Sequence, residues 1–144
     1  MSREAIAIAS DHAGFEVKEE IKKLLGELGH DVADLGPEGL DSVDYPDFAD
    51  AMAAALANGR AGRGVLICGT GIGISIAANR YRHVRAARCC DATDARLARE
   101  HNDANVLVLG SRTSGSETAR DCVHMFLETA FEGGRHQRRI DKMS

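Results

Sequence analysis

A chain of 144 residues with 44% hydrophobic content is the size of one globular domain, read here as spanning 1–144. Aromatic residues are scarce and tryptophan is absent, so the core must be built from aliphatic side chains and alanine. A formal net charge of −4 argues against a general nucleic-acid binder or a membrane-surface protein, although 135-RHQRRIDK-142 puts a local basic segment on an acidic chain.

Short apolar runs alternate with helical patterns along the chain. The first run is 5-AIAIAS-10. In 14-GFEVKEEIKKLLGELG-29, Phe15, Val17, Ile21, Leu24, Leu25 and Leu28 recur at mostly helical spacing, and Gly29 is a helix stop. The segment 31-DVADLG-36 reads as a short strand toward a sheet edge. Turn formers fill 36-GPEGLDSVDYP-46, and Pro46 opens the helix pattern 46-PDFADAMAAALANG-59. The run 64-GVLIC-68 is continuously apolar, as expected of a central strand covered on both faces. A helix is expected from Ile72 to Arg80, a strand over 83-HVRAARC-89, and a helix over 91-DATDARLAREHN-102 capped by Asp91 or Thr93. The run 105-NVLVLG-110 is a second central strand, and a last helix runs from Ser116 to Phe131, stopped by Gly133 and Gly134.

Five strands alternating with five helices predict a three-layer α/β/α, Rossmann-like domain around a five-stranded parallel sheet, ending in a basic C-terminal tail over 135–144. No run reaches the ~18 apolar residues of a membrane helix. The opening MSREAIAIAS lacks the apolar stretch of a signal peptide. The four cysteines, Cys68, Cys89, Cys90 and Cys122, form no C-x-x-C pair, so the expected setting is reduced and cytoplasmic.

In sheets of this class ligands bind beyond the carboxyl ends of the strands. Three such ends carry unusual residues: 10-SDHAG-14, 68-CGTGIG-73 and 110-GSR-112. The glycines of 69-GTGIG-73 let backbone N–H groups approach an anion. The spacing is neither a P-loop, since no G-K-[ST] follows, nor the dinucleotide G-x-G-x-x-G. A purely structural turn is the plainer alternative. Cys68 ends a buried strand, where a small core hydrophobe is the plain reading; beside an anion-favouring loop it can instead serve as a thiolate base or nucleophile. Thr70 supplies a hydroxyl able to relay a proton. Asp11 can cap the first helix, whereas His12 lies on no apolar face. His101 closes the fourth helix pattern, where a histidine also complements the helix end. Arg112, Arg135, Arg138 and Arg139 read as a solvated face or as a clamp for phosphate or carboxylate. No cysteine or histidine spacing marks a metal site.

The segments SDHAG (10–14), DYP (44–46), ICGTGIGISIAANR (67–80), REHNDANVLVLGSR (99–112) and EGGRHQRRI (132–140) resemble the ribose-5-phosphate isomerase B family, which includes galactose-6-phosphate isomerase subunits. They fall in the family order and cover nearly the whole chain. The resemblance implies a cofactor-free aldose–ketose isomerase working through a cis-enediolate, with a phosphorylated sugar as substrate. It also implies a homodimer or homotetramer with sites at the subunit interface. Residue by residue, it implies Cys68 as the base between C1 and C2 and Thr70 as the carrier of a proton between O1 and O2. The branch that uses a glutamate instead is disfavoured, because Ile72 and Ile74 are apolar. The backbone from Gly69 through Gly71 and Gly73 to Ser75 matches the loop that steadies the enediolate. His101, with Asp11 nearby, matches the ring-opening pair. His12, Arg112, Arg135 and Arg139 match the phosphate grip, and Tyr45 and Asn102 stand at substrate-binding positions. Arg138 stands where the family often has a neutral residue. The rival readings are an isomerase of a tetrose, allose or galactose phosphate, a non-catalytic nucleotide-binding domain, and a thiol redox protein.

Overall fold

The computed structural model describes residues 4–143. Five strands, β1 (Ile6–Ser10), β2 (Val32–Asp34), β3 (Arg63–Cys68), β4 (Ala86–Arg88) and β5 (Val106–Gly110), form one sheet in the order β2-β1-β3-β5-β4, with every pairing parallel. The helices are α1 (Phe15–Glu27), α2 (Tyr45–Ala57), α3 (Ile72–Ala78), α4 (Ala92–Asn102), α5 (Ser116–Glu128) and α6 (Arg135–Asp141). The two continuously apolar runs are β3 and β5, and they lie inside the sheet. The segment expected at an edge, β2, is at an edge.

The direction of each crossover decides which face its helix covers. A right-handed β-α-β connection that moves one way across the sheet puts its helix on one face, and a connection moving back puts it on the other. The steps β1→β2 and β4→β5 run in one direction, and α1 and α4 share a face with α5. Their Ile21, Leu24, Leu25, Ala95, Ala98, Cys122 and Phe126 pack on Ile6, Ile8, Val65, Ile67, Leu107 and Leu109. The steps β2→β3 and β3→β4 run the other way. There α2 and α3 set Met52, Ala53, Ile74 and Ala78 against Ala7, Ala9, Leu66, Cys68, Val106 and Val108. Alternate residues of each inner strand therefore enter opposite cores, as the two-residue strand period requires.

Several elements are shorter than their sequence patterns. The strand expected over 83–89 pairs only at Ala86–Arg88, because Tyr81–Val84 closes a turn, with Val84 N donating to Tyr81 O at 3.0 Å. The helix expected to reach Phe131 ends at Glu128. Two arginines take the carbonyls there: Arg63 Nη1 donates to Phe126 O at 2.9 Å and Arg99 Nε to Thr129 O at 3.2 Å. The basic tail is a sixth helix, against the five expected. It docks on α4 through the buried His136, while Ile140 is buried too. The glycines taken as a stop, Gly133 and Gly134, turn the chain into it at φ of 72° and 58°. Among the described residues no helix is long and apolar enough to cross a membrane.

A charged group sits inside this apolar frame. Lys18 on α1 is 1% exposed, and its Nζ donates to both oxygens of Asp34 at 2.9 Å and to Glu19 Oε2 at 3.1 Å. Burial opposes ionisation of Asp34, but hydrogen bonds from Lys18, Lys22 and the Gly36 N–H outweigh it and hold the carboxyl below its ordinary range. The stabilisation from Asp34 is therefore complete above the ordinary carboxylate value and is lost as pH falls through the lowered one. Asp34→Asn is expected to cost about 3 kcal/mol in urea unfolding at neutral pH, since it strips charge from the partner of a buried ammonium. The deficit should shrink as the wild-type protein is acidified; an unchanged gap down to the acid transition would rule the pair out.

The buried thiols carry a second expectation. Burial, with Cys122 and nearby acids adding to it, pushes Cys89 up to about 12. Burial beside Asp91 and Asp94 pushes Cys122 up to about 11. Both remain neutral thiols near neutrality, whereas Cys90 is exposed. Alkylation of the folded protein at about pH 8, mapped by mass spectrometry, should modify Cys90 and spare Cys89 and Cys122 until denaturant is added, because the thiolate is the reactive form.

Candidate active site

The carboxyl ends of β1, β3 and β5 are level, with Ser10 opposite Ile67 and Cys68 opposite Gly110. Past the strands the ladder continues. Asp11 N donates to Ile67 O at 3.1 Å, Ser111 N to Cys68 O at 2.9 Å, and Arg112 N to Gly69 O at 2.8 Å. These bonds draw three loops around an open cleft of about 430 Å³, lined by Asp11, His12, Tyr45, Cys68, Gly69, Thr70, Gly73 and Arg112 among others.

Cys68 forms the floor. It is 4% exposed, and its Sγ accepts the Gly71 N–H at 3.1 Å. That bond requires the chain to turn back sharply, and Gly71 does so at φ 78°, a left-handed conformation that a side chain would strain. Thr70 is exposed, and its Oγ1 accepts from Ile72 N at 3.1 Å, which leaves its hydroxyl hydrogen free to turn into the cleft. The Thr70 carbonyl is taken by Arg88 Nε at 2.8 Å. By helix geometry the N–H groups of Gly73 and Ile74 have no intrahelical acceptor in the first turn of α3. A Cβ on Gly73 would lie 2.6 Å from the Tyr45 ring, so a side chain there would push the ring away from the loop.

Asp11 closes the turn that precedes α1, its Oδ1 accepting from Gly14 N at 3.0 Å; the N-cap of the helix is Gly14 and not Asp11. The remaining oxygen, Oδ2, is available to a ligand. His12 is oriented by a contact the sequence did not reveal. Val43 in the loop before α2 donates its N–H to His12 Nδ1 at 3.1 Å. An Nδ1 that accepts puts the ring hydrogen on Nε2, making that nitrogen a donor.

The remaining predicted residues are elsewhere in the chain. Helix α4 runs from the carboxyl edge of the sheet back to its amino edge, so His101 and Asn102 lie at the end remote from Cys68. There Arg85, just before β4, donates through Nε to Asn102 O and Asp103 O, both at 3.1 Å. Asn102 lines a separate cavity with Arg82, Arg85 and Met143. His101 stacks on His136 of α6. Arg135 and Arg139, exposed and four residues apart, share one side of α6. Within one chain His101 and Asp11 are not brought together. Ser75 is engaged within the first turn of α3. Its N–H is spent on Gly71 O at 3.2 Å and its hydroxyl on Ile72 O at 2.8 Å, and it does not line the cleft.

The sequence and fold recur in known proteins. The sequence model described as Ribose/Galactose Isomerase matches residues 6–143. The chain is 46% identical to ribose-5-phosphate isomerase B of Escherichia coli over 139 residues, 96% of this chain and 93% of that one. It superposes on a ribose 5-phosphate isomerase of Thermotoga maritima with a TM-score of 0.96 at 52% identity, covering 98% and 97% of the two chains. Against ribose-5-phosphate isomerase B of Mycoplasma genitalium, solved with bound ribulose 5-phosphate, the TM-score is 0.92 at 46% identity, covering 96% and 93%. From its first strand to its last helix, this chain belongs to the ribose/galactose isomerase family.

Proposed function

We propose that this protein interconverts ribose 5-phosphate and ribulose 5-phosphate through a cis-enediolate, with Cys68 as the general base. The observation that carries this reading is the seat of the thiol. Cys68 Sγ is held by the Gly71 N–H at the floor of the cleft, beside an exposed Thr70 hydroxyl and backbone N–H groups of the same loop. A backbone donor aimed at sulfur favours negative charge there.

The chemistry follows from these positions. The thiolate takes the proton from C2 of the open-chain aldose. The C–H electron pair becomes the C1–C2 double bond, and the C1 carbonyl oxygen takes the negative charge. Backbone N–H groups of the glycine loop stabilise that oxyanion, a contribution typically about 3 kcal/mol of barrier per donor. The Thr70 hydroxyl carries the proton from O2 to O1. Cys68 then returns its proton to C1, leaving the ketone at C2. Arg112 and the Nε2–H of His12 hold the phosphate, whose binding positions the sugar without changing during the reaction.

One chain supplies only this half. His101, Asn102, Arg135 and Arg139 reach a substrate over Cys68 only from a second copy, so the complete site is shared between subunits of a homodimer, or of a homotetramer built from two dimers. Exposed Ile72 and Ile76, 49% and 53% accessible and one turn apart on α3 beside the cleft, support association there. In that arrangement Arg135 and Arg139 complete the phosphate grip, and His101 with Asp11 of the other chain opens the furanose. The four free cysteines are in keeping with a cytoplasmic setting.

Cys68→Ser should fold normally and bind substrate with little change in KM. Its kcat should fall by about 10²–10⁴-fold, the usual worth of a general base. Exchange of the C2 proton with solvent should vanish with it. Parental turnover in this variant would make Cys68 a packing residue. A screen of pentose, tetrose and hexose phosphates should give its highest kcat/KM with ribose 5-phosphate; preference for a hexose phosphate would move the substrate elsewhere in the family.

The shared site has its own test. Cys68→Ala and Arg139→Ala chains, each nearly inactive alone, should regain part of the activity when mixed into heterodimers. One of the two sites in such a dimer receives both intact residues. No recovery in verified heterodimers would place both residues in a site within one chain.

A further inference from the structure

His101 and His136 come from different helices, yet their rings stack with centroids 4.4 Å and planes 15° apart. One carboxylate oxygen, Glu132 Oε1, lies 3.7 Å from His101 Nε2 and 3.5 Å from His136 Nε2. The group is anchored from both sides. His136 is buried, and Glu132 N donates to Glu100 O at 3.1 Å, tying the segment before α6 to the last turn of α4. Nothing in the chemistry described so far uses Glu132 or His136.

The three donor atoms lie within 4.8 Å of one another, a grouping that can suggest a divalent cation. The stack decides against one. A coordinate bond lies along the in-plane lone pair of the imidazole, and two stacked, nearly parallel rings hold those lone pairs in two separate planes, so one ion cannot lie on both. An ion pair with a carboxylate has no such directional demand. We propose that Glu132 and His136 are positioning residues for His101: the stack fixes the plane of its ring, the carboxylate occupies its Nε2 side, and Nδ1 is left to move the proton in ring opening. This inference rests on the proposed role of His101. It follows the general logic by which a partner on one ring nitrogen sets the state of the other.

Ring opening is the step this arrangement serves. The O1 proton leaves, the C1–O4 bond breaks, the C1 carbonyl forms, and O4 takes a proton. Only the aldose needs that step. In ribulose 5-phosphate the phosphate occupies O5, the oxygen that would have to close a furanose on C2, so the ketose enters as an open chain. Starting from the ketose, the enzyme can release open-chain aldose, which closes in solution. Damage to His101 or to its supports should therefore slow the aldose-to-ketose direction more than the reverse.

The test measures initial rates in both directions for Glu132→Gln, His136→Phe, His136→Leu and His101→Gln, with melting temperatures as the check on folding. Glu132→Gln should lose roughly 10-fold in kcat from ribose 5-phosphate, the scale of a lost supporting contact, with KM little changed and a smaller loss from ribulose 5-phosphate. His136→Phe, which keeps a ring for the stack, should retain more aldose-direction activity than His136→Leu. If His101→Gln shows the directional loss and the Glu132 and His136 variants do not, the positioning role is overturned and His101 stands alone. If His101→Gln shows no directional loss, its ring-opening role and this inference fall together. Equal losses in both directions for Glu132→Gln would mark Glu132 as structural and also overturn the proposal.

Discussion

The hydrogen-bond ladder joining β1, β3 and β5 does not stop where the strands stop. It runs on through Asp11 to Ile67, Ser111 to Cys68 and Arg112 to Gly69, and every feature of the cleft depends on it. These bonds put a carboxylate, a thiol and a guanidinium, each from a different part of the chain, at one level above the sheet. A shift of one residue in the register of β3 would carry Cys68 to the opposite core and leave the glycine loop without its sulfur. The precision of the site is inherited from backbone pairing that is fully buried and unable to slip. The loops add only the last turn of direction, through Gly71 under the thiol and Val43 against His12.

The same topology separates the candidate residues into two groups within one chain. Helices in a parallel sheet return the chain from the carboxyl edge to the amino edge. Groups at helix ends therefore lie remote from groups at strand ends. His101 closes α4, and α6 docks beside it, so the imidazole, Glu132 and the two tail arginines gather at the wrong edge for their own Cys68. In the dimer proposed above, association of two copies brings the edges together. The cost is small, because the surface beside the cleft already exposes Tyr45, Ile72 and Ile76.

Much of the frame was legible in the sequence, for a physical reason. β3 and β5 are covered on both faces, so their apolar runs are uninterrupted, and α1 shows its buried stripe at helical spacing. The glycine loop and the polar residues after β1 and β5 stood out because packing alone does not call for them where the strands end, while Cys68 itself is buried and was marked only by the loop that follows it. The sixth helix was hidden. Its seven residues have only two buried side chains, one of them a histidine, so no apolar period marks it. The strand over 83–89 was overread because its alternation continues through a turn that Asn79 pins, bonding to both the N–H and the carbonyl of Ala86 at 2.8 Å. The link between His101, Glu132 and His136 joins positions more than thirty residues apart through tertiary packing, and no spacing rule reaches that far. Val43 acts through its backbone, so its side chain gave no sign.

The contact between Tyr45 and Gly73 constrains how this protein can change over generations. The ring fills the volume that any side chain at position 73 would need. A lineage that places a larger residue there must swing the exposed tyrosine ring aside, replace it, or shift the loop. The two positions should therefore drift as a pair across relatives, each substitution at one accompanied by a smaller or differently oriented residue at the other. Their joint history would record a steric bargain struck between the start of α2 and the loop before α3, twenty-eight residues apart in sequence.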